Sequence, residues 1–192
     1  MSEKKIIYCE TMAEAKDKYY DYINNHIKNV QEAYDKHSDA FKAVFPDVYN
    51  NRQIMQLYMN LQNHDMSKYS EEEFNSYLAR FFPVNGSDPN SDKVKKDFKI
   101  AWFHHVHYNP HHPNHWALVD SRDEIYVINM PDIYIIEMLC DWMAMSKYYN
   151  SRTIDYWNSE SGQKLPMSKY TKSKVNEFID YMQNNKPHIT LW

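Results

Sequence analysis

Histidine side chains occupy positions of this sequence where an amphipathic helix would bury them. His26 follows Tyr22 by four residues and precedes Val30 by four, inside a stripe of apolar residues with helical spacing. His64 comes three residues after Leu61 on the apolar face of a second expected helix. Burying an ionisable group costs free energy unless the group is paired or bound to a metal. Several such residues on separate helices therefore predict a shared site.

Further along the chain, the same spacing places other side chains of metal-ligating types on the inner faces of helices. Asp141 follows Glu137 by four residues, and His105 follows Ala101 by four. Imidazole nitrogens and carboxylate oxygens suit Mn, Fe, Co, Ni or Zn. We therefore predict a divalent transition metal held by inward-facing residues of these types.

The adjacent His64 and Asp65 can both reach one ion if the ion lies between their directions, which differ by about 100° around a helix. A purely structural alternative pairs Asp141 with His26 or His64 as buried ion pairs. Core packing alone does not call for an adjacent His-Asp pair, so the metal interpretation is preferred.

The centre of the sequence is rich in histidine, which would supply the ligands of a second metal if one is bound. His105 has the inward phase, whereas His104 lies about 100° further around the same helix and is expected to flank the site. His111 or His112, on the loop that follows, would complete the second site. His107 and His115 are expected at the surface or behind the ligands.

Apolar residues repeat at steps of three and four over most of the chain, which predicts helices. Ser70 followed by Glu73 is typical of a capping box that begins a helix. The prolines of Asn109–Asn114 indicate a loop, and a short strand over Glu124–Ile128 is possible. Six helices are expected, over about Met12–Tyr34, Arg52–His64, Glu71–Phe81, Asp92–His107, Pro131–Tyr149 and Ser168–Asn184.

Composition supports a compact all-α bundle that forms a single domain over residues 1–192. The chain has only two glycines, whereas a β-rich fold needs many tight turns.

A net charge of −4 gives no general affinity for nucleic acid or anionic membranes. Two cysteines make no disulfide framework, and neither a signal peptide nor a membrane-spanning stretch is evident, so a cytoplasmic location is expected. The oligomeric state is not encoded in any recognisable pattern.

The order His26, His64-Asp65, Asp141 on successive helices resembles the HD superfamily of metal-dependent phosphohydrolases. The stretch from His64 to Lys68 also looks like the His-Asp-x-x-Lys signature of HD phosphodiesterases. The resemblance covers about residues 19–148, with a C-terminal helix at about 168–184 outside it. It implies an HD-like bundle, metal ligation by these four residues and phosphate contact by Lys68. Members with two metals add histidines between the His-Asp pair and the last Asp.

The whole chain is also similar to an uncharacterised family seen in bacteria and their phages. The similarity lies in four stretches, at residues 64–70, 101–105, 109–112 and 137–145. It supplies no activity.

The resemblance therefore predicts hydrolysis of a small-molecule phosphate ester, such as a nucleotide, by metal-activated water. Asp65 would ligate the metal and orient the water, and Lys68 would offset charge on the phosphate. The alternative for Lys68 is a solvated residue at a helix end. Glu72 and Glu137 are candidate outer-shell bases. Two alternatives are an HD-type di-iron oxygenase and a non-catalytic, metal-stabilised binding module.

Overall fold

The computed structural model describes residues 6–50 and 53–185, and in this part of the chain the fold is all-helical. Two 3-10 helices, Met66–Tyr69 and Pro113–Trp116, and a two-stranded sheet complete it. The α-helices are α1 (Met12–Val44), α2 (Pro46–Asn50), α3 (Gln53–Gln62), α4 (Phe74–Phe81), α5 (Asp92–Tyr108), α6 (Asp132–Tyr149), α7 (Thr153–Asn158), α8 (Glu160–Gln163) and α9 (Lys169–Asn185). The strands are β1 (Ala117–Val119) and β2 (Ile125–Val127).

The predicted all-α class is confirmed, and the six expected helices correspond to α1, α3, α4, α5, α6 and α9. The first helix is longer than predicted because buried Ala40, Phe41 and Val44 continue its apolar face beyond Tyr34. Three short helices, α2, α7 and α8, were not predicted, because four to six residues hold too little periodicity to recognise. The start predicted at Arg52 lies outside the described residues.

The chain divides into two compact units, and the described parts of each are treated separately below. The first unit comprises residues 1–26 and 65–109, and the second comprises residues 27–64 and 110–192. The chain therefore passes from one unit to the other after residues 26, 64 and 109. The single domain expected from the length stays a prediction.

In the first unit, aromatic side chains form much of the core around Tyr19. Its ring lies edge-on to Phe74 with 5.0 Å between centroids, and stacks with Tyr77 at 6.5 Å. The segment before α1 is held by backbone hydrogen bonds from Ile7 N–H to Phe81 O and from Cys9 N–H to Pro83 O. These contacts fix the first turns of α1, which carry the chain to His26.

In the second unit, α6 supplies much of a continuous apolar core. Its buried side chains include Ile135, Ile136 and Leu139, and they belong to one cluster with Leu57 of α3 and Phe178 of α9. A helix buried on most sides is expected to lie at the centre of its bundle. The helix therefore gives a rigid support for the polar residues Glu137 and Asp141 that it also carries.

The strand expected over Glu124–Ile128 is present as β2, which pairs antiparallel with β1 in the second unit. Asp120 closes the hairpin, since its carboxylate accepts hydrogen bonds from the backbone N–H groups of Arg122 and Glu124. The expected loop is shorter than Asn109–Asn114, because a 3-10 helix begins at Pro113.

Two predicted helix boundaries are wrong at places that matter for the site. The second predicted helix ends at Gln62, so His64 and Asp65 lie beyond it and are not 100° apart on one helix. The third begins at Phe74, not Glu71, and Glu73 makes no side-chain capping bond. Within the described residues, no helix combines the length and the apolar character needed to cross a membrane.

Candidate metal-binding residues

In the first unit, a left-handed turn places Asp65 in the interior. After α3 ends, Asp65 adopts φ 57° and ψ 20°, and the 3-10 helix Met66–Tyr69 follows at once. Aspartate tolerates this region of backbone space better than most residues. The turn leaves the Asp65 side chain 3% exposed, so its charge must be met by partners from the protein or by a bound ion.

The two carboxylate oxygens of Asp65 face different imidazole rings. Oδ2 lies 3.4 Å from Nε2 of His26, and Oδ1 lies 3.4 Å from Nε2 of His105. These separations exceed the roughly 2.9 Å typical of an N–H···O hydrogen bond. Two ligand atoms bound about 2.0–2.2 Å from a tetrahedral ion lie roughly 3.3–3.6 Å apart. The spacing around Asp65 therefore fits pairs of atoms that share a metal.

Lys68 is the other partner of Asp65. In a 3-10 helix, residues three apart lie nearly above one another, and Lys68 Nζ donates to Asp65 Oδ2 at 2.5 Å. The ammonium also lies 5.8 Å from the Tyr22 ring centroid and 5.9 Å from that of Tyr77. Burial opposes the charge, but Asp65 together with Tyr22 and Tyr77 outweighs it and raises the pKa of Lys68 well above its usual value.

The alternative of a solvated Lys68 is wrong, because the residue is only 4% exposed. Its predicted contact with a phosphate stays a prediction. The Lys68 ammonium neutralises the charge of Asp65, which lies beside His26 and His105.

Glu73 lies behind the histidines of α5 in the first unit. Its Oε2 lies 2.9 Å from Nδ1 of His105, and its Oε1 lies 2.8 Å from Nδ1 of His104. Burial raises the pKa of the fully buried Glu73 carboxyl, whereas its hydrogen bonds to Ser67 and His104 act in the opposite direction. His105 is buried, while the side chain of His104 is 31% exposed.

In the second unit, His64, His111 and Glu137 form a buried group that could hold a metal ion. Each offers one ligand atom, and these atoms all lie within 4.8 Å of one another. Glu137 Oε1 lies 2.9 Å from Nδ1 of His64 and 3.1 Å from Nδ1 of His111. The rings of His64 and His111 are 4.2 Å apart between centroids, and His112 lies beside His111 at 4.3 Å.

Asp141 lies one turn of α6 beyond Glu137, on the opposite side of the His64 ring. Its Oδ1 is 3.7 Å from Nε2 of His64. Burial would raise the pKa of the Glu137 carboxyl, but the neighbouring His111 and His64 outweigh it and lower the pKa to about 2. Glu137 is thus a carboxylate that accepts a hydrogen bond from His64 and lies beside His111, and Nε2 of His64 is directed toward Asp141.

The structure thus brings together His26, Asp65, His105 and Lys68 in the first unit, with His104 at the edge of the group. It brings together His64, His111, Asp141 and Glu137 in the second unit, with His112 beside them. Glu72 is exposed. That the four core ligands share one ion stays a prediction.

Glu73 was not among the predicted site residues. Ser70 and Glu73 have the spacing of a capping box, so the carboxylate was expected to bond to the start of a helix. The signal that could have found it is helical phase, since Glu73 lies four residues before the fully buried Tyr77.

These observations define the class of protein. It is an all-α protein with buried clusters of histidine and carboxylate side chains. Residues 15–181 match the family of unknown function DUF5662, so the chain belongs to that family. The searches of curated proteins and of solved structures found no match.

Proposed function

We propose that the protein is a metal-dependent hydrolase of phosphate esters and that its metal is a divalent transition ion. The observation that carries the proposal is the placement of Asp65, whose two oxygens each face an imidazole Nε2 at 3.4 Å. A carboxylate directed in this way suits a bridge between two cations, which supports two metals as well as one. The ion or ions would be Mn, Fe, Co, Ni or Zn.

The residues proposed to hold metal are His26, Asp65 and His105 of the first unit and His64, His111 and Asp141 of the second. His104 and His112 stand beside these groups and complete the set of candidate ligands. A bound ion of this kind lowers the pKa of its water and polarises a phosphoryl oxygen. The reaction class comes from the resemblance of the ligand order to the HD superfamily.

The chain's own residues supply the remaining electrostatics. Lys68 neutralises the charge on Asp65 and holds its Oδ2 in place through the 2.5 Å ion pair. Glu137 accepts from Nδ1 of His64, so that ring can present Nε2 as a ligand. We further propose a cytoplasmic location, in keeping with two free, buried cysteines.

The first test measures metal and activity in the same preparation of the full chain. Metal content is determined after purification, and the chain is then reloaded with each candidate ion, with iron handled anaerobically. Phosphate release is measured across nucleotides and simple phosphate esters, and oxygen uptake is followed in parallel. We expect at least one ion per chain and hydrolysis of at least one ester. Asp65→Asn should lose both, whereas Asp155→Asn, at an exposed position, should keep both.

Two outcomes would replace the proposal. Oxygen uptake with an organic substrate, without hydrolysis of any ester by the metal-replete chain, would favour a di-iron oxygenase. Bound metal with neither activity would favour a metal-stabilised binding module.

A further inference from the structure

Glu73 is a fully buried carboxylate that spans two imidazole rings of α5. Oε1 lies 2.8 Å from Nδ1 of His104, and Oε2 lies 2.9 Å from Nδ1 of His105. A carboxylate buried without partners would be costly, so these hydrogen bonds explain how the charge is accommodated. The side chain makes no capping bond at the start of α4, and both of its oxygens are directed to the histidines.

The direction of these hydrogen bonds determines which nitrogen of His105 is available to bind a metal. A neutral imidazole carries one donor nitrogen and one acceptor nitrogen. An ionised carboxylate only accepts, so Glu73 selects the form of His105 in which Nδ1 holds the proton. Nε2 then keeps its lone pair, and it is this atom that lies 3.4 Å from Asp65 Oδ1.

The second unit has a similar arrangement of a glutamate and two histidines, with the glutamate on α6. Glu137 meets Nδ1 of His64 and of His111, and Nε2 of His64 faces Asp141. In each unit a buried glutamate thus lies beside two Nδ1 atoms, and it accepts a hydrogen bond from the imidazole that turns Nε2 toward an aspartate. Outer carboxylates that bind the far nitrogen of a ligating histidine are a recurrent feature of metal sites.

We propose that Glu73 is a positioning residue that fixes the tautomer and ring orientation of His105, so that Nε2 can bind a metal together with Asp65. The inference rests on the metal site proposed above and adds to it a residue outside the predicted ligand set. Glu73 does not itself ligate the ion, because both of its oxygens face Nδ1 atoms.

The test compares zinc affinity in variants of the full chain, measured by competition with a coloured chelator. Glu73→Ala removes both acceptors and should weaken zinc binding about 10–100-fold. Glu73→Gln keeps one acceptor oxygen and should fall between Glu73→Ala and wild type. Glu71→Gln removes an exposed charge two residues away and should leave the affinity unchanged.

A second measurement needs no variant and separates this inference from the proposed function. Imidazole ¹⁵N shifts of the chelator-treated wild type, at a pH where the rings are neutral, report which nitrogen of His105 carries hydrogen. We expect hydrogen on Nδ1. Hydrogen on Nε2, or equal zinc affinity in wild type and folded Glu73→Ala, would overturn the positioning role. Hydrogen on Nδ1 in a chain that binds no metal supports the fixed tautomer and overturns the proposed metal chemistry.

Discussion

Lys68 and Asp65 form a buried ion pair whose contribution to stability depends on what else lies beside the carboxylate. Lys68→Met keeps an apolar stem but removes the charge, which leaves Asp65 without its closest cation. Breaking a buried pair in this way costs about 3–5 kcal/mol of the free energy of unfolding. We expect a loss of that size in the metal-free chain and a smaller loss after metal loading, since a bound ion also supplies positive charge to Asp65.

Chemical denaturation with and without metal measures both losses. Lys93→Met is the matched control, because the Lys93 side chain is 84% exposed and its pair with Asp97 should contribute little. Equal losses for Lys68→Met in both states would mean that no metal reaches Asp65.

The low pKa of Glu137 predicts how the stability of the protein depends on pH. Its pKa of about 2 in the folded chain lies below the ordinary value of 4.5. Folding therefore favours the ionised form, and the resulting stabilisation is fully present above pH 4.5 and is lost as the pH falls toward 2. Glu137→Gln cannot titrate at this position. The difference in free energy of unfolding between wild type and Glu137→Gln should therefore shrink as the pH falls through this range.

Urea unfolding of metal-free protein, from neutral pH downward, gives that difference directly. The exposed Glu160→Gln serves as the control and should show no comparable change over the same range. A difference that stays constant below pH 4.5 would contradict the low pKa of Glu137.

Single residues were predictable where they interrupt an apolar stripe. His26 and His105 are buried on their helices, as their helical phase indicates, whereas His64 is buried in the turn beyond α3. Spacing along one helix cannot show which groups from other segments lie beside them. For this reason the ion pair of Lys68 with Asp65 and the position of Glu73 behind His105 required the structure.

At the scale of elements, α8 depends on a glycine that the sequence pattern does not explain. A Cβ added at Gly162 would lie 2.3 Å from the backbone oxygen of Tyr156 and 2.7 Å from that of Trp157. Backbone atoms cannot move aside cheaply, so Gly162→Ala should destabilise the protein by about 1–3 kcal/mol. Thermal unfolding measures the change.

Ser161→Ala is the neighbouring control, because Ser161 is exposed and its change should stay within about 0.5 kcal/mol. A Gly162→Ala protein as stable as wild type would show that α7 and α8 can separate without cost.

Long elements were predicted better than their ends. The apolar spacing identified α1, α5, α6 and α9, because each repeats its pattern over several turns. The end of α3 was misplaced because Asp65 adopts a left-handed conformation, for which the sequence offers no glycine. The start of α4 was misplaced because tertiary hydrogen bonds to Glu73 replace the expected local cap.

At the scale of the whole molecule, metal binding and stability should be coupled. An ion that binds only the folded chain stabilises it by about 2.7 kcal/mol when its free concentration is 100 times its dissociation constant. A chelator should therefore lower the Tm of wild type. Asp141→Ala should contain less metal, should melt at a lower temperature, and should respond little to the chelator.

Metal analysis and calorimetry on the same samples test this coupling. An Asp141→Ala protein with the metal content and Tm of wild type would contradict a role for Asp141 in binding. The family match spans both units, so we expect the coupling in other members that carry the same histidines and carboxylates.

The division of the chain into two interleaved units also sets an order of events during synthesis. The first unit is complete in sequence once Asn109 has been made, whereas the second needs α6 and α9. At about 5–20 residues per second, residues 110–185 take roughly 4–15 s to translate. During the first part of that interval, until α6 is complete at Tyr149, Leu57 and His64 have emerged without the α6 side chains that later bury them. A nascent chain of this protein therefore exposes apolar surface to chaperones for seconds, at a segment made before its partners.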